Sequence, residues 1–284
     1  MGIDLHTFRF MQGLARSRPL GRVLTIGRQN VDFDPALAGA APAEPDRARY
    51  CEWAFEALGA ETVSSVDVSD YENATYVADL GQPTDLPQQF DTVIDAGSLE
   101  HVFDVVTAFR NVIGFTAIGG RIVHVLPVNN LSGHGFWQFS SDLLYALYAP
   151  NNGFGETRVY YASGLNPDAW HLVPEPHPGT RTELVSLEPV ILLSVTTKLR
   201  AVDSLSVMQP FYAKAWEGTE AVQSKPASPS PVRQAAKRLR GTAAYRLARN
   251  AYTVAGLLFG TSRYALSGSR FARRSPSSGE SGPP

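Results

Sequence analysis

Polar residues and glycines that could hold a ligand follow four short apolar stretches of the chain. Each stretch is short enough for a β-strand buried on both faces. Ligands of parallel α/β sheets bind beyond the carboxyl ends of the strands, where the strand order reverses. We therefore expect the residues after the four stretches to surround one crevice. They are Gly27, Arg28 and Gln29, then Asp67 and Val68, then Asp79 and Leu80, and finally Asp95, Gly97 and Ser98.

These residue types favour a ligand that contains a nucleoside. A glycine after the first strand, Gly27, lets the backbone approach a ligand closely. An acid at the end of the second strand, Asp67, is placed to accept hydrogen bonds from a ribose diol. The alternative for Asp67 is a solvated turn residue beside Ser69 and Asp70.

Two histidines follow the carboxyl ends of predicted strands and are candidate general bases. His101 lies at the start of a predicted helix, where it could instead only cap the helix or pack. His134 lies between two glycines in a loop. His124, inside a predicted strand, is expected to be a packed core histidine.

The loop that carries His134 has the sequence VNNLSGHGFWQFS, residues 128–140. Its amides offer hydrogen bonds and its aromatic rings offer flat apolar surface, which suits a sugar-like or aromatic substrate. The aromatic rings could equally fasten the loop to the body of the protein. The candidate substrate-binding residues are Asn129, Asn130, Phe136 and Trp137.

A strand–helix–strand unit forms the centre of the sequence. An apolar run at 91–95 predicts a strand, Ser98 is a candidate cap for a helix over 99–115, and 122–126 predicts a second strand parallel to the first. Similar patterns predict helices at 4–17, 45–58 and 140–148 and strands at 22–27, 62–68, 75–78, 154–161 and 185–198. The last two strands should form an antiparallel pair at the sheet's edge, joined by a Pro-rich loop. The sequence therefore predicts an α/β fold with a doubly wound, mostly parallel sheet.

Three of these stretches resemble motifs of the class I S-adenosylmethionine-dependent methyltransferases. FDTVIDAGSLEHVFDVVTAFRNVIGFTAIGGRIVHVLP resembles their fourth-strand, helix-start and fifth-strand motifs. VSSVDVSD is similar to the acidic second-strand motif, and YVADL to the third-strand motif whose aspartate lies near adenine. GHGFWQFS is similar to a loop of one subgroup. The resemblance covers about residues 20–160. It implies a seven-stranded Rossmann-like sheet with a terminal antiparallel hairpin, S-adenosylmethionine as cofactor, and methyl transfer to a small-molecule or glycan acceptor.

The first motif departs from the family pattern, which has an acid in the strand and a second glycine after it. Those positions are Thr25 and Gln29 here. Gly27 and Asp67 are also 40 positions apart, against about 20 in the dinucleotide fingerprint. The methionine end of the cofactor must then be held differently, by Arg28 or Gln29, or else the domain is an inactive methyltransferase-like binding or scaffolding module. A nicotinamide-dependent oxidoreductase is a third reading, less favoured because the repeated glycines are missing.

Composition indicates a cytoplasmic protein. The single cysteine, Cys51, excludes an internal disulfide and is expected to be buried. The first residues contain no continuous apolar stretch, so we expect no signal peptide, and no apolar run reaches the roughly 18 residues of a membrane span. No metal-ligand spacing, nucleophile elbow or phosphate-binding loop is recognisable, so no metal is expected.

The C-terminal part differs in charge from the rest. After residue 224 lie eleven of the 25 Lys and Arg but one of the 27 Asp and Glu, which leaves 14 basic and 26 acidic residues before it, a formal charge of −12. We expect a methyltransferase domain over 1–216, a Pro/Ser-rich linker over 217–231, a basic amphipathic helical tail over 232–266 and a disordered end over 267–284. The tail could dock on the acidic body, lie on an anionic membrane, or bind a partner. Nucleic acid is not expected, because the tail lacks a pattern of stacking aromatics.

Overall fold

The computed structural model describes residues 2–39, 42–179, 181–212, 242–258, 265–266 and 271–274. The predicted linker over 217–231 lies outside these residues, as do 213–216 of the predicted domain, 232–241 and 259–264 of the predicted tail, and 267–270 and 275–284 of the predicted end. The statements below concern the described residues.

Eleven strands are found among the described residues. In chain order they are β1 (Gly2–Asp4), β2 (Gly21–Ile26), β3 (Asn30–Asp32), β4 (Ala60–Asp67), β5 (Tyr76–Val77), β6 (Phe90–Ala96), β7 (Thr116–Asn129), β8 (Phe154–Ser163), β9 (Asn166–Val173), β10 (Val190–Lys198) and β11 (Ala272–Arg274). Nine of them form one sheet in the order β11-β9-β8-β10-β7-β6-β2-β4-β5, and β1 pairs with β3 in a separate parallel pair.

The sheet confirms the predicted fold class. Strands β5, β4, β2, β6 and β7 are mutually parallel, and the strand order reverses between β2 and β6. β10 runs antiparallel between β7 and β8. Seven strands in this order and direction, with an antiparallel hairpin at one end, form the Rossmann-like sheet of class I methyltransferases.

The predicted position of the hairpin was wrong in one respect. β8 and β10 pair as expected, but β8 is not the edge of the sheet. The Pro-rich connection contains β9, which pairs with β8, and β11 pairs with β9 in turn. Residues 271–274 were expected to be disordered. Instead Phe271 is 4 % exposed and packs edge-on against Tyr161, because β9 offers an unpaired edge that β11 can join.

Six helices are described: α1 (Leu5–Ser17), α2 (Pro45–Arg49), α3 (Glu52–Ala57), α4 (Val105–Phe115), α5 (Ser141–Leu147) and α6 (Ala243–Leu258). The helix predicted over 99–115 begins only at Val105, where the Asp104 carboxylate accepts from the Thr107 N–H. Residues Leu99–His101 form a single 3₁₀ turn instead. Ser98 does not cap a helix, since its hydroxyl donates to the Ile26 carbonyl. The helix predicted from Pro45 is divided at Tyr50, whose backbone is extended.

Helices cover both faces of the sheet. Because both faces of the central strands are buried, their sequences are continuous apolar runs. Consecutive residues of β6, Val93 and Ile94, belong to different core clusters on opposite faces. α4 and α5 pack on the first face, and α1 and α3 on the second. Cys51 is buried in the second cluster, as expected.

α6 is the described part of the predicted basic tail, and none of its residues is buried. Leu247, Tyr252 and Leu258 are 71 %, 82 % and 68 % exposed. α6 itself therefore buries no face on the acidic body, but Leu257 lines a cavity with Ser163 and Leu165 of the body, and Ala265 and Leu266 further along the predicted tail are buried. Among the residues that the structure describes, no helix combines the length and apolar character needed to cross a membrane.

Candidate functional site

A first cavity of about 440 Å³ lies beyond the carboxyl ends of β2, β4 and β5, beside the point where the strand order reverses. The structure brings together here six of the residues predicted to bind a cofactor: Gly27, Asp67, Val68, Asp79, Leu80 and Ser98. His101 and Phe136 line the same cavity. The strand ends thus meet in one crevice, as the sequence pattern predicts.

The turns after β2 and β4 fix the polar end of the first cavity. Gly27 has φ +73° and its N–H donates to the Val66 carbonyl, a conformation that glycine adopts without strain. The half-buried Asp67 carboxylate accepts from the backbone N–H groups of Val68 (2.7 Å) and Arg28 (3.3 Å). These bonds hold the carboxylate at the cavity wall, and Asp79 is held in its turn by the Gly81 N–H (2.8 Å).

Two exposed rings lie at the first cavity, and the sequence singled out only one of them. Phe103 and Phe136 are 79 % and 69 % exposed and meet edge-on, with centroids 6.1 Å apart. Both line the cavity. Phe103 directly follows the LEHV segment, but an aromatic residue after a predicted helix start is not by itself a binding signal.

Arg28 and Gln29, expected at the methionine end of a cofactor, do not line the first cavity. The Arg28 guanidinium donates to Glu52 (2.7 Å) and the Glu72 carbonyl (2.7 Å) and lies over the Tyr50 ring. Gln29 is fully buried, and its amide donates to the Ile26 carbonyl (2.6 Å) and the Ser98 hydroxyl (3.1 Å). Both side chains therefore form hydrogen bonds to other parts of the protein, and these bonds connect the loops around the crevice.

Asp95 also faces the interior of the protein and does not line the first cavity. One oxygen accepts from the N–H groups of Ser98 (3.0 Å) and Leu99 (3.2 Å), and the other lies 2.8 Å from Nδ1 of His124. Nε2 of His124 lies 2.6 Å from the Tyr148 hydroxyl. All three side chains are almost inaccessible to solvent, and burial raises the pKa of Tyr148 well above its usual range. His124 is therefore a packed core histidine, as predicted, and this chain of bonds fixes the turn after β6.

A second cavity of about 770 Å³ lies beyond the carboxyl ends of β6 and β7. Gly97, Glu100, His101 and His134 line it, so His101 lies on the wall that separates it from the first cavity. The opposite wall comes from the β1–β3 pair and the start of α1: Gly2, Asp4, Thr7, Asn30, Val31 and Asp32. No sequence pattern indicates that wall, because its two halves are brought together by the pairing of β1 with β3.

Glu100 is the most perturbed titratable group at this site. It is fully buried, and neither carboxylate oxygen accepts a hydrogen bond from another described residue. Burial, followed by the nearby charge of Asp95, raises the pKa of Glu100 to about 8. Nε2 of His134 lies 3.4 Å from Oε1 of Glu100, and the rings of His101 and His134 are 5.5 Å apart. Burial, followed by His134, lowers the pKa of His101, so its imidazole is neutral at neutral pH.

The loop after β7 is fastened onto Glu100. The N–H groups of Phe136 (2.8 Å) and Trp137 (3.3 Å) both donate to the Glu100 carbonyl, and the Trp137 indole donates to Val102. At Gly135 a Cβ would lie 2.8 Å from Glu100, so only glycine allows this approach. Trp137 thus fastens the loop to the body of the protein, which is the alternative to substrate binding that the sequence left open for the aromatic residues of this loop.

Two amides of this loop, predicted to bind substrate, line neither cavity. Asn130 donates to the carbonyls of Ser186 and Glu188, each at 2.9 Å, and stabilises the connection before β10. Asn129 ends β7 opposite Val190. Both residues therefore lie on the side of the loop that faces the β10 hairpin.

No protein-family model and no curated protein matches the chain. Solved structures that resemble it include the N-methyltransferase NodS from Bradyrhizobium japonicum WM9, with 16 % identity over 69 % of this chain and 94 % of that one and a TM-score of 0.40. TehB from Haemophilus influenzae has 12 % identity over 67 % and 61 %, and YcgJ from Bacillus subtilis 16 % over 69 % and 99 %, both with TM-scores of 0.40. Likenesses at these scores decide nothing about the ligands of this chain. Its fold is assigned from its own sheet order.

Proposed function

We propose that this protein binds S-adenosylmethionine in the first cavity and transfers its methyl group to a small-molecule or glycan acceptor in the second cavity. One observation carries the proposal: two cavities meet at His101, on either side of the point where a methyltransferase-type sheet reverses its strand order. Methyl transfer requires a cofactor and an acceptor held in line in adjoining spaces from which water can be excluded.

The first cavity offers groups suited to the nucleoside part of the cofactor. We assign the Asp67 carboxylate to the ribose diol and the turn at Asp79–Leu80 to adenine. Phe103 and Phe136 supply aromatic surface against which a flat base can pack. Gly27, Val68 and Ser98 complete the wall, whereas Gly97, also predicted to bind the cofactor, lines the second cavity.

On the acceptor side, His101 and His134 are the candidate bases. A sulfonium is a good leaving group, so a base is needed only when the acceptor must lose a proton, as a hydroxyl does. Both imidazoles line the second cavity, and the lowered pKa of His101 keeps its ring able to accept a proton.

The alternative, an inactive methyltransferase-like binding domain, is favoured by one observation. Arg28 and Gln29, the side chains closest in sequence to the altered glycine motif, already have partners inside the protein. In an active enzyme the methionine carboxylate would then be held by backbone groups of the turns after β2 and β6. In an inactive domain the first cavity would keep a ligand without turnover.

Calorimetry of the full chain with S-adenosylmethionine, S-adenosylhomocysteine and NAD separates these readings. We expect micromolar binding of the first two and none of NAD. Binding of NAD alone would overturn the proposal in favour of an oxidoreductase. An inactive domain would bind S-adenosylhomocysteine but give no methylated product with panels of hydroxyl- and amine-bearing acceptors.

For the C-terminal tail we propose peripheral attachment to an anionic membrane. The exposed apolar side chains of α6 and the basic residues Arg246 and Arg249 among them support this proposal.

A further inference from the structure

Three side chains that can each donate one ligand atom to a metal ion converge at the edge of the second cavity. The ligand atoms of Glu100, His101 and His134 all lie within 4.8 Å of one another. In bound metal sites such atoms lie roughly 2.0–2.2 Å from the ion, so modest side-chain rotations would bring all three onto one ion. The sequence gives no metal-ligand spacing because His134 lies on a different segment from the other two.

The carboxylate of this cluster has no hydrogen-bond partner among the described residues. Ionising a buried carboxyl without hydrogen-bond donors is costly, so an ionised Glu100 needs a ligand or an ion to compensate its charge. Among the basic groups of the described residues, Nε2 of the half-exposed His134 lies within ion-pair distance of it, at 3.4 Å. A cation between the carboxylate and the two imidazoles would supply the missing compensation.

The surroundings hold the three ligands in place. Glu100 and His101 form one 3₁₀ turn, and the loop that carries His134 is bonded through two backbone N–H groups to the carbonyl of Glu100 itself. Gly135, next to His134, packs directly on Glu100. The same contacts that close the loop therefore fix the histidine beside the carboxylate.

We propose that Glu100, His101 and His134 bind a divalent transition-metal ion. Two imidazoles and one carboxylate suit Mn²⁺, Fe²⁺, Co²⁺ or Zn²⁺ better than Mg²⁺ or Ca²⁺, which prefer all-oxygen sites. Three protein ligands leave coordination positions open, as in catalytic rather than structural sites. All three residues line the second cavity, so an oxygen-bearing ligand in that cavity can reach the ion.

The metal site needs only these side chains and does not depend on methyl transfer. With the ion bound, His101 and His134 act as ligands instead of bases, and the ion itself lowers the pKa of a coordinated hydroxyl or water. Metal binding and cofactor binding are therefore tested separately.

The test is calorimetric titration of the chelator-treated full chain with Zn²⁺, Co²⁺ and Mg²⁺, without cofactor. We expect about one equivalent of Zn²⁺ or Co²⁺ to bind, with Co²⁺ giving visible absorption bands, and Mg²⁺ to bind at least tenfold more weakly. Glu100→Gln and His134→Ala should each weaken Zn²⁺ affinity by tenfold or more. His177→Ala, which removes an exposed histidine that lines neither cavity, is the matched control and should bind Zn²⁺ as the unchanged chain does.

No binding of Zn²⁺ or Co²⁺ at millimolar concentration would overturn the proposal, and so would equal affinity in the unchanged chain and His134→Ala. Because His134 is half exposed, its variant should fold even if Glu100→Gln does not. Circular dichroism of each variant shows whether it is folded.

Discussion

Nδ1 of His124 lies 2.8 Å from Oδ2 of Asp95, with both side chains fully enclosed in the sheet. An ionised carboxylate only accepts hydrogen bonds, so His124 donates from Nδ1 and its orientation is fixed. The other Asp95 oxygen holds the N–H groups of the turn that separates the two cavities. This pair resembles part of a catalytic relay, but its burial assigns it a supporting role.

His124→Phe should destabilise the fold by about 3 kcal/mol, because it leaves a buried carboxylate and the Tyr148 hydroxyl without their shared partner. Tyr148→Phe removes a single bond and should cost about 1 kcal/mol. Chemical denaturation of both variants measures the difference. Equal losses would mean that the pair contributes no more than one ordinary hydrogen bond.

Asp67→Ala should weaken S-adenosylhomocysteine binding about tenfold to a hundredfold, because each charge-assisted hydrogen bond to a ribose hydroxyl contributes roughly 1.5–3 kcal/mol. The matched control is Asp70→Ala, an exposed aspartate three positions on that lines neither cavity. Calorimetry provides the affinities. Unchanged affinity in folded Asp67→Ala would remove the ribose assignment.

Phe103→Ala should weaken S-adenosylhomocysteine binding about threefold to tenfold, since packing of a base on an aromatic ring contributes roughly 0.5–1.5 kcal/mol. Tyr71→Ala, which removes an equally exposed ring outside the first cavity, should leave the affinity unchanged. An equal loss in both variants would point to a general effect on the fold rather than contact with the cofactor.

His134→Ala should leave S-adenosylhomocysteine affinity within about twofold of the unchanged chain, because His134 lines only the second cavity. Its turnover on any acceptor found in the panels should fall, whether His134 is a base or a metal ligand. A collapse of cofactor affinity would show that the loop belongs to the cofactor site.

Removal of the positive charges of α6 should weaken salt-sensitive binding to anionic vesicles. Each basic residue near such a surface contributes about 1 kcal/mol, so a few suffice for weak attachment. Cosedimentation with anionic and neutral vesicles compares the full chain with Arg246→Gln/Arg249→Gln, which removes positive charge from α6 but keeps β11 and the buried Phe271 in place. Equal pelleting of the two, or binding that does not fall as salt is raised, would exclude electrostatic attachment through the tail.

The residues of the first cavity could be predicted from local sequence patterns, and the order of the seven central strands from the resemblance to methyltransferases. A strand of apolar residues followed by Gly27 or Asp67 places those residues at a strand end whatever the rest of the chain does. The second cavity could not be predicted in the same way. Its wall forms only when β1 pairs with β3, and its histidines come together only when the loop after β7 packs on Glu100. Neither contact produces a periodic pattern in the sequence.

The observed positions differ from the predicted ones where a polar side chain can bond either a ligand or a neighbouring part of the protein. Arg28, Gln29, Asp95 and Asn130 all lie at or after strand ends, as ligand-binding residues do, yet each forms hydrogen bonds to other parts of the protein. Position after a strand indicates which residues reach an edge of the sheet. It does not indicate whether their side chains turn toward the cavity or toward a neighbouring loop.

The β1–β3 pair and the start of α1 contribute six residues to the second cavity and none to the first. Under the proposed function, acceptor preference and cofactor affinity are therefore determined by separate stretches of the chain. Combinatorial libraries at Asp4, Thr7 and Asn30–Asp32 should yield variants with altered acceptor choice and with unchanged recognition of the nucleoside at Asp67. A laboratory selecting for new acceptors could begin with these few codons.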